Sequence, residues 1–234
     1  MLGAANFDGS GSDELFWWNS ETGQIGWWQL SVTELRVLGH ADIHMGATIL
    51  PSINANTGYV PHLADVNGDG YADIVWTSTT DNSVYVWINN QQGGFVPHEI
   101  QNHADGFTLF GAGDVAGNGV SSLFWTNPTT NQMQVWNMNG FEVTGVKTIN
   151  VTPGYSMASI ADYDGDGLAD ILWVGTAGDV YEWLSDGNGG FISQRVADAS
   201  GNPLVIPAGS QVQPNRLQGG TVTSGLDTSV GVSH

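Results

Sequence analysis

Short apolar and β-branched runs alternate with turn residues over most of this chain. The runs D-I-V-W and S-V-Y-V-W, for example, flank the turn segment T-S-T-T-D-N, which is the pattern of a β-hairpin. A Gly-rich turn and a third run follow, as in Q-Q-G-G-F-V-P-H-E-I, and a fourth run leads into the next unit. The pattern predicts an all-β fold in which each unit of roughly 50 residues forms four antiparallel strands, as in a β-propeller blade.

A loop of similar sequence opens each unit and recurs four times, beginning at Asn6, Asp65, Asp114 and Asp162. In units two and four it reads D-V-N-G-D-G-Y-A-D and D-Y-D-G-D-G-L-A-D, with oxygen-bearing side chains at loop positions 1, 3, 5 and 9. Gly at position 6 allows the sharp turn that aims these oxygens inward. Because Ca²⁺ takes six to eight oxygen ligands, this spacing predicts calcium-binding loops, with the carbonyl of position 7 as a further ligand.

The predicted Ca²⁺ ligand sets differ in completeness among the units. They are Asp65, Asn67, Asp69, the carbonyl of Tyr71, and Asp73 in unit two; Asp162, Asp164, Asp166, the carbonyl of Leu168, and Asp170 in unit four; and Asn6, Asp8, Ser10 and Glu14 in unit one. Unit three has Ala116 and Ser122 at two ligand positions, so we expect it to keep the turn without an ion. An EF-hand is excluded because Trp stands where the bidentate Glu of position 12 belongs. A plain turn without metal is the alternative, but carboxylates about 5 Å apart repel one another by roughly 3 kcal/mol in the absence of a cation.

Tryptophan follows the same register as the loops. Loop position 12 is Trp in every unit, at Trp17, Trp76, Trp125 and Trp173, and a second Trp follows in the next strand of the predicted hairpin. Large aromatic side chains at equivalent blade positions pack between neighbouring sheets, so we assign the position-12 set to the core. Exposed indole faces can also stack on sugar rings. The predicted ligand-binding side chains are therefore Trp18, Trp27, Trp28, Trp87, Trp136 and Trp183.

Charge and composition narrow the functional classes. With 23 acidic and 4 basic residues and a net charge of −19, the chain repels phosphate, which argues against nucleic acid and anionic membranes as partners. No apolar run is long enough to span a membrane, and the absence of Cys excludes disulfides and thiol chemistry. The motifs H-E-x-x-H, G-x-S-x-G and the P-loop are absent, and we expect no enzymatic activity. Weak loop sites need millimolar calcium, which favours an extracellular location.

The loop D-x-[DN]-G-D-G-x-x-D, followed by an apolar strand, resembles the FG-GAP/VCBS repeats of integrin-α-like β-propellers. L-F-G-A-G-D at 109–114 is close to the sequence that gives this family its name. The resemblance implies a calcium-stabilised propeller that serves in cell-surface recognition or adhesion. The more specific version of this hypothesis is a lectin, which binds carbohydrate. Family propellers usually close with more blades than the four units found here. The short segment before the first loop also predicts that blade one lacks a strand.

These patterns lead to the following expectations. Residues 1–196 should form the four-repeat propeller, and 197–234 an extended Gly/Ser/Thr-rich tail or an edge strand. The leading functional hypothesis is a calcium-binding, non-catalytic extracellular propeller whose partner is a cell-surface or polysaccharide ligand. The alternative is a structural subunit of a surface fibre or larger assembly, in which open blade edges pair with a second copy or another chain. An enzyme acting on polysaccharide or lipid is the third hypothesis.

Overall fold

A computed structural model describes residues 3–19, 24–30, 37–43, 58–207 and 210. This part of the chain is all-β, and its sixteen strands form four separate antiparallel sheets, each built from four strands that are consecutive in sequence. The sheets are four blades of a β-propeller, which confirms the predicted fold class. Within the same ranges, no helix is both long and apolar enough to cross a membrane.

The strand bounds follow the predicted hairpins. Blade one contains β1 (Gly3–Ala5), β2 (Glu14–Trp18), β3 (Ile25–Leu30) and β4 (Val37–Ile43); blade two contains β5 (Tyr59–Ala64), β6 (Asp73–Ser78), β7 (Val84–Asn89) and β8 (Phe95–Glu99); blade three contains β9 (Thr108–Gly113), β10 (Ser122–Asn127), β11 (Gln132–Asn139) and β12 (Glu142–Asn150); and blade four contains β13 (Tyr155–Ala161), β14 (Asp170–Gly175), β15 (Val180–Ser185) and β16 (Phe191–Arg195).

The two faces of blades two and three contact different neighbours. In blade two, the cross-strand pair Ile74 and Trp87 packs in the core shared with blade one, whereas the pair Val75 and Val86 packs in the core shared with blade three. This follows from the two-residue period of a strand, which sends successive side chains to opposite faces. The hydrophobic core therefore lies between blades, in one cluster for each pair of neighbours.

Backbone hydrogen bonds at the loops join successive blades in the same way each time. The carbonyl of loop position 1 accepts the N–H of position 8 in the next loop: Ala72 to Asn6 at 2.7 Å, Ser121 to Asp65 at 2.7 Å and Ala169 to Asp114 at 2.6 Å. The side chain at loop position 2 enters the same junction, where Phe7, Val66 and Val115 are buried. Loops one, two and four are thus both candidate ion sites and parts of a blade junction, whereas loop three takes part in two junctions only.

The expectation that blade one lacks a strand is wrong. Residues Gly3–Ala5 form β1 and pair with β2, from Gly3 opposite Phe16 to Ala5 opposite Glu14. Three residues are enough because the strand only has to bond one neighbour and place Ala5, which is fully buried, in the core with blade two.

The segment after blade four folds back on that blade. The Ile206 N–H donates to the Gly178 carbonyl at 2.7 Å, and the Leu204 N–H donates to the Val196 carbonyl at 2.9 Å. Two isolated antiparallel bridges, Asp179 with Val205 and Ala197 with Pro203, accompany these bonds. Apart from residue 210, the predicted tail beyond 207 lies outside the described residues.

The side chain at position 7 of a loop packs on the Gly at position 4 of the preceding loop. Tyr71 lies against Gly9, Val120 against Gly68 and Leu168 against Gly117. At Gly9 the backbone φ is +75°, and an added Cβ atom would overlap the Tyr71 ring. Gly165 in the last loop has a similar φ of +82° but no atom within 4 Å of such a Cβ.

We expect Gly9→Ala to lower the free energy of unfolding by about 2 kcal/mol, because the positive φ and the overlap with Tyr71 both oppose a methyl group. Gly165→Ala is the matched control and should cost about 1 kcal/mol, since it carries the backbone strain alone. Urea unfolding monitored by Trp fluorescence measures both variants. Equal losses would show that the Tyr71 contact does not matter.

Candidate metal centres and a neighbouring cavity

Each candidate loop joins the first and second strands of its blade, and in loops two, three and four the carboxylate at position 1 closes the turn. Asp162 Oδ1 accepts the N–H of Gly165 at 2.7 Å, and its Oδ2 accepts the N–H of Gly167 at 3.0 Å. Asp65 and Asp114 accept the equivalent pairs of N–H groups. Loop closure therefore follows from Asp at position 1 and from Gly at positions 4 and 6, with or without an ion.

Loop four gathers a dense group of carboxylates. One oxygen from each of Asp162, Asp164 and Asp166 lies within 4.8 Å of the others. Asp164 Oδ1 accepts the Asp166 N–H at 3.1 Å, and Asp166 Oδ1 accepts the Leu168 N–H at 2.8 Å, so each keeps its second oxygen for another partner. An all-oxygen donor set with this much negative charge fits a hard divalent cation such as Ca²⁺.

Loop two combines carboxylates with amides. Asp69 Oδ1 accepts the Tyr71 N–H at 2.9 Å, as Asp166 does for Leu168. Asp69 Oδ2 accepts from Asn67 Nδ2 at 3.1 Å and from Gln91 Nε2 at 3.0 Å. Gln91 follows β7 and was not among the predicted site residues. In loop one, Gln29 Nε2 likewise donates to Asp8 Oδ2 at 3.0 Å, so an amide from the third strand region contacts both loops.

The position-9 carboxylates are buried at the base of the loops. Asp73 Oδ2 accepts the Val66 N–H at 3.0 Å, and its Oδ1 accepts the Asn89 N–H at 2.8 Å. Asp170 makes the same two kinds of bond, to Tyr163 and Ser185. These side chains thus tie the loop to the third strand of the blade, a role that their spacing in the sequence did not reveal.

Burial perturbs the same carboxylates. It raises the pKa of Asp73 to about 8, although the N–H groups of Asn89 and Val66 act in the opposite direction. Burial likewise raises the pKa of Asp170 to about 6. A cation beside these groups would favour their ionised forms, because an opposite charge offsets the loss of hydration. The electrostatics at the base of loops two and four therefore fit a bound cation.

Loop one has an incomplete set of candidate cation ligands. Glu14 Oε2 accepts the Phe7 N–H at 2.8 Å, in the manner of Asp73, but the buried Glu14 Oε1 has no partner among the described residues. Burial raises the pKa of Glu14. Asp8 and Ser10 cap the turn through the N–H groups of Ser10 and Ser12. An unpartnered buried carboxylate oxygen has the chemistry of a cation ligand.

Loop three keeps the turn but not the ligands. Asp114 and Asn118 accept the loop N–H groups, whereas Ala116 offers no oxygen and Ser122 Oγ donates weakly to Asn137 Oδ1 at 3.4 Å. This agrees with the sequence, which has apolar or short side chains at those positions.

A cavity of about 290 Å³ opens beside loop three, between blades three and four. Its polar lining is neutral, with amides and hydroxyls from Asn118, Ser122, Asn137, Thr144 and Asn188. Val115, Val120 and Met138 provide an apolar wall. The sequence analysis missed this cavity, although Ala116 at a ligand position indicated that loop three differs from the other loops.

The structure separates the Trp residues that were predicted to bind a ligand. Trp27, Trp87 and Trp136 are buried, Trp18 and Trp183 are half-buried, and Trp28 is 38% exposed. Burial closes the faces of the first three rings, which argues against their predicted role in stacking on a sugar. Of the position-12 set, Trp76, Trp125 and Trp173 are in the core as predicted, whereas Trp17 is half-buried.

Comparison with known proteins adds a family match. Residues 65–125, which run from loop two to β10, match the family model of the FG-GAP-like repeat. No protein of curated function is detectably similar in sequence.

Two solved structures share the fold. A lectin of Agrocybe aegerita, described as recognising non-reducing terminal N-acetylglucosamine, is similar with a TM-score of 0.58 and 21% identity, over 85% of this chain and 52% of that one. A Tc holotoxin pore of Photorhabdus luminescens is similar with a TM-score of 0.57 and 19% identity, over 82% of this chain and 9% of that one. The chain thus spans about half the length of the lectin. At these identities the similarity shows the fold alone.

Proposed function

Since this chain is an FG-GAP-repeat β-propeller protein, we propose that it is a calcium-dependent, non-catalytic recognition module that binds neutral glycans outside the cell. One observation carries the proposal. Loop four gathers three carboxylates within 4.8 Å and loops one and two carry further oxygen-bearing side chains, whereas loop three has Ala116 and Ser122 at two ligand positions and borders a cavity lined by amides and hydroxyls.

The proposed calcium sites stabilise the propeller. In loop four, Asp162, Asp164 and Asp166 would hold the ion, with Asp170 at the base of the loop. The ion supplies the positive charge that the carboxylates lack, and it stabilises only the folded chain, since the unfolded chain has no such site. Because sites of this kind need about millimolar calcium, the module works outside the cell.

The chemistry of the cavity favours a neutral sugar. An Asn amide donates and accepts at once, which matches sugar hydroxyls, and Asn118, Asn137 and Asn188 supply three such groups. The apolar wall can contact the C–H face of a ring. A volume of about 290 Å³ is near the lower end of small-molecule sites, which suits one terminal sugar residue. The net charge of −19 disfavours acidic glycans.

A glycan-binding measurement tests the proposal, and terminal N-acetylglucosamine, which the Agrocybe aegerita lectin is described as recognising, is the first ligand to try. We expect binding to neutral glycans in calcium and a loss of binding in EDTA. Asn137→Ala should weaken binding about tenfold, the effect of one lost hydrogen bond of about 1.4 kcal/mol.

Asn139→Ala is the matched control, because Asn139 is exposed two residues further along β11 and does not line the cavity. It should leave binding unchanged. A folded protein that binds no neutral glycan, or one that loses binding equally in both variants, would contradict the proposed site.

A further inference from the structure

The three blade junctions in this chain are built alike. In blades two and three, the face turned to the preceding blade carries the cross-strand pairs Ile74–Trp87 and Leu123–Trp136, and all four side chains are buried. Blade four carries the pair Ile171–Trp183 at the same position. In each case the position-12 Trp packs on this second Trp, with ring centroids 4.6–5.0 Å apart.

The same face of blade one has no preceding blade within the described residues. Its equivalent pair is Leu15–Trp28, and Trp17 is its position-12 ring. Trp28 is 38% exposed, whereas its counterparts Trp87 and Trp136 are 1% and 2% exposed. Leu15 and Trp17 are half-buried. Blade one therefore exposes an aromatic surface of the kind that blades two and three bury against the preceding blade.

The open face of blade four offers the complementary features. Tyr163, at loop position 2, is 40% exposed, whereas the equivalent Phe7, Val66 and Val115 insert into the next junction. Leu172 and Leu184 are half-buried on the same face. Gly165 has no position-7 side chain packed on it.

The junction hydrogen bond is incomplete at the same two faces. Asp13 occupies loop position 8, where Ala72, Ser121 and Ala169 each donate an N–H to the preceding loop. Asp162 occupies position 1 of the last loop, where the other three carbonyls accept. Within the described part of the chain, neither Asp13 nor Asp162 makes this bond. Blade one thus has the donor and blade four the acceptor.

We propose that a second copy of this chain docks head-to-tail, with blade four of one copy on the Leu15–Trp17–Trp28 face of the other. This contact would continue the series of junctions that the chain already contains, with the Asp13 N–H donating to the Asp162 carbonyl of the other copy. A head-to-tail contact either closes into a ring or extends as a filament. Two copies related by a twofold axis would use both junctions and close.

One residue opposes this contact and provides a test. Glu182 lies opposite Leu172 on the open face of blade four, where blades two and three have Val86 and Val135. Its carboxylate accepts from Gln194 Nε2 at 2.9 Å, so the group is solvated and paired when the face is free. Glu182→Val should therefore strengthen the docking of a second copy.

Sedimentation velocity at rising protein concentration tests the proposal on the full chain. We expect a concentration-dependent species larger than the monomer. Trp28→Ala should weaken association at least about tenfold, because Trp residues at the centre of an interface contribute most of its affinity. Val146→Ala is the matched control, since Val146 is 46% exposed on the outermost strand of blade three, and it should have no effect.

Glu182→Val should tighten association, and the gain should disappear in the Trp28→Ala background, because the two residues then belong to one contact. A monomer at every concentration would overturn the proposal. This is also the result expected if the two faces contact each other within one chain. Association that depends on Trp28 but ignores Glu182→Val would indicate that two blade-one faces pair with each other, and this result also overturns head-to-tail docking. The melting temperatures of the variants show whether each remains folded.

Discussion

Asp73→Ala is expected to lower the free energy of unfolding by about 3–5 kcal/mol in EDTA, and by at least as much in calcium, where loop two also loses a predicted ligand. The side chain is fully buried and accepts the N–H groups of Val66 and Asn89. Alanine leaves both donors without an acceptor in the interior, where an unsatisfied polar group is costly. Urea unfolding in both buffers measures the loss.

Ser122→Ala is the matched control at position 9 of loop three. Ser122 Oγ makes a single long bond to Asn137, so its loss should cost about 1 kcal/mol or less. If Asp73→Ala is as mild as Ser122→Ala, the buried carboxylate does not tie the loop to β7 in the way its contacts indicate.

Calcium is expected to raise the Tm of the protein, and Asp166→Ala should remove part of this rise. A site that is filled at about a hundred times its dissociation constant contributes about 2.7 kcal/mol. For a chain of this size that corresponds to roughly 5–10 °C in Tm. Differential scanning calorimetry with and without calcium measures the difference.

The size of the effect in EDTA sharpens this test. Without calcium, Asp166→Ala loses the bond from the Leu168 N–H, which is worth about 1 kcal/mol, but it also removes one of three carboxylates whose oxygens lie within 4.8 Å. Because the relieved repulsion offsets the lost bond, Asp166→Ala should lower Tm much less in EDTA than in calcium. Asn118→Ala, at the same position of loop three, should cost about 1 kcal/mol through its bond to the Val120 N–H, equally in both buffers. A calcium-dependent loss at Asn118, or none at Asp166, would show that the loops are ranked wrongly.

The blades could be predicted because every determinant of a blade is local and is repeated. The alternation around Trp76 and Trp87 marks a hairpin, and the register confirms it, since Ile74 lies opposite Trp87. The loop turn was equally predictable, because Asp at position 1 accepts the N–H groups of Gly at positions 4 and 6 in loops two, three and four. The family match at 65–125 covers a stretch where these signals are strong.

Contacts between units could not be predicted from the sequence in the same way. Periodicity shows that a Trp recurs, but it does not show which neighbour covers it, so Trp87 and Trp28 looked equivalent although one is buried and the other is exposed. The bond from Asp73 to Asn89 joins residues that are 16 positions apart and has no motif. The cavity beside loop three depends on Asn188 from the next blade, which no pattern within unit three could indicate.

The junction bond also gives the series of blades a direction. Each unit offers a carbonyl at loop position 1 to the unit after it and an N–H at position 8 to the unit before it. Duplication of a whole unit adds one donor and one acceptor together, and it leaves every existing junction intact. Repeat number in such a chain can therefore change in evolution without redesign of any interior contact, whereas a unit inserted in the reverse orientation would match neither neighbour.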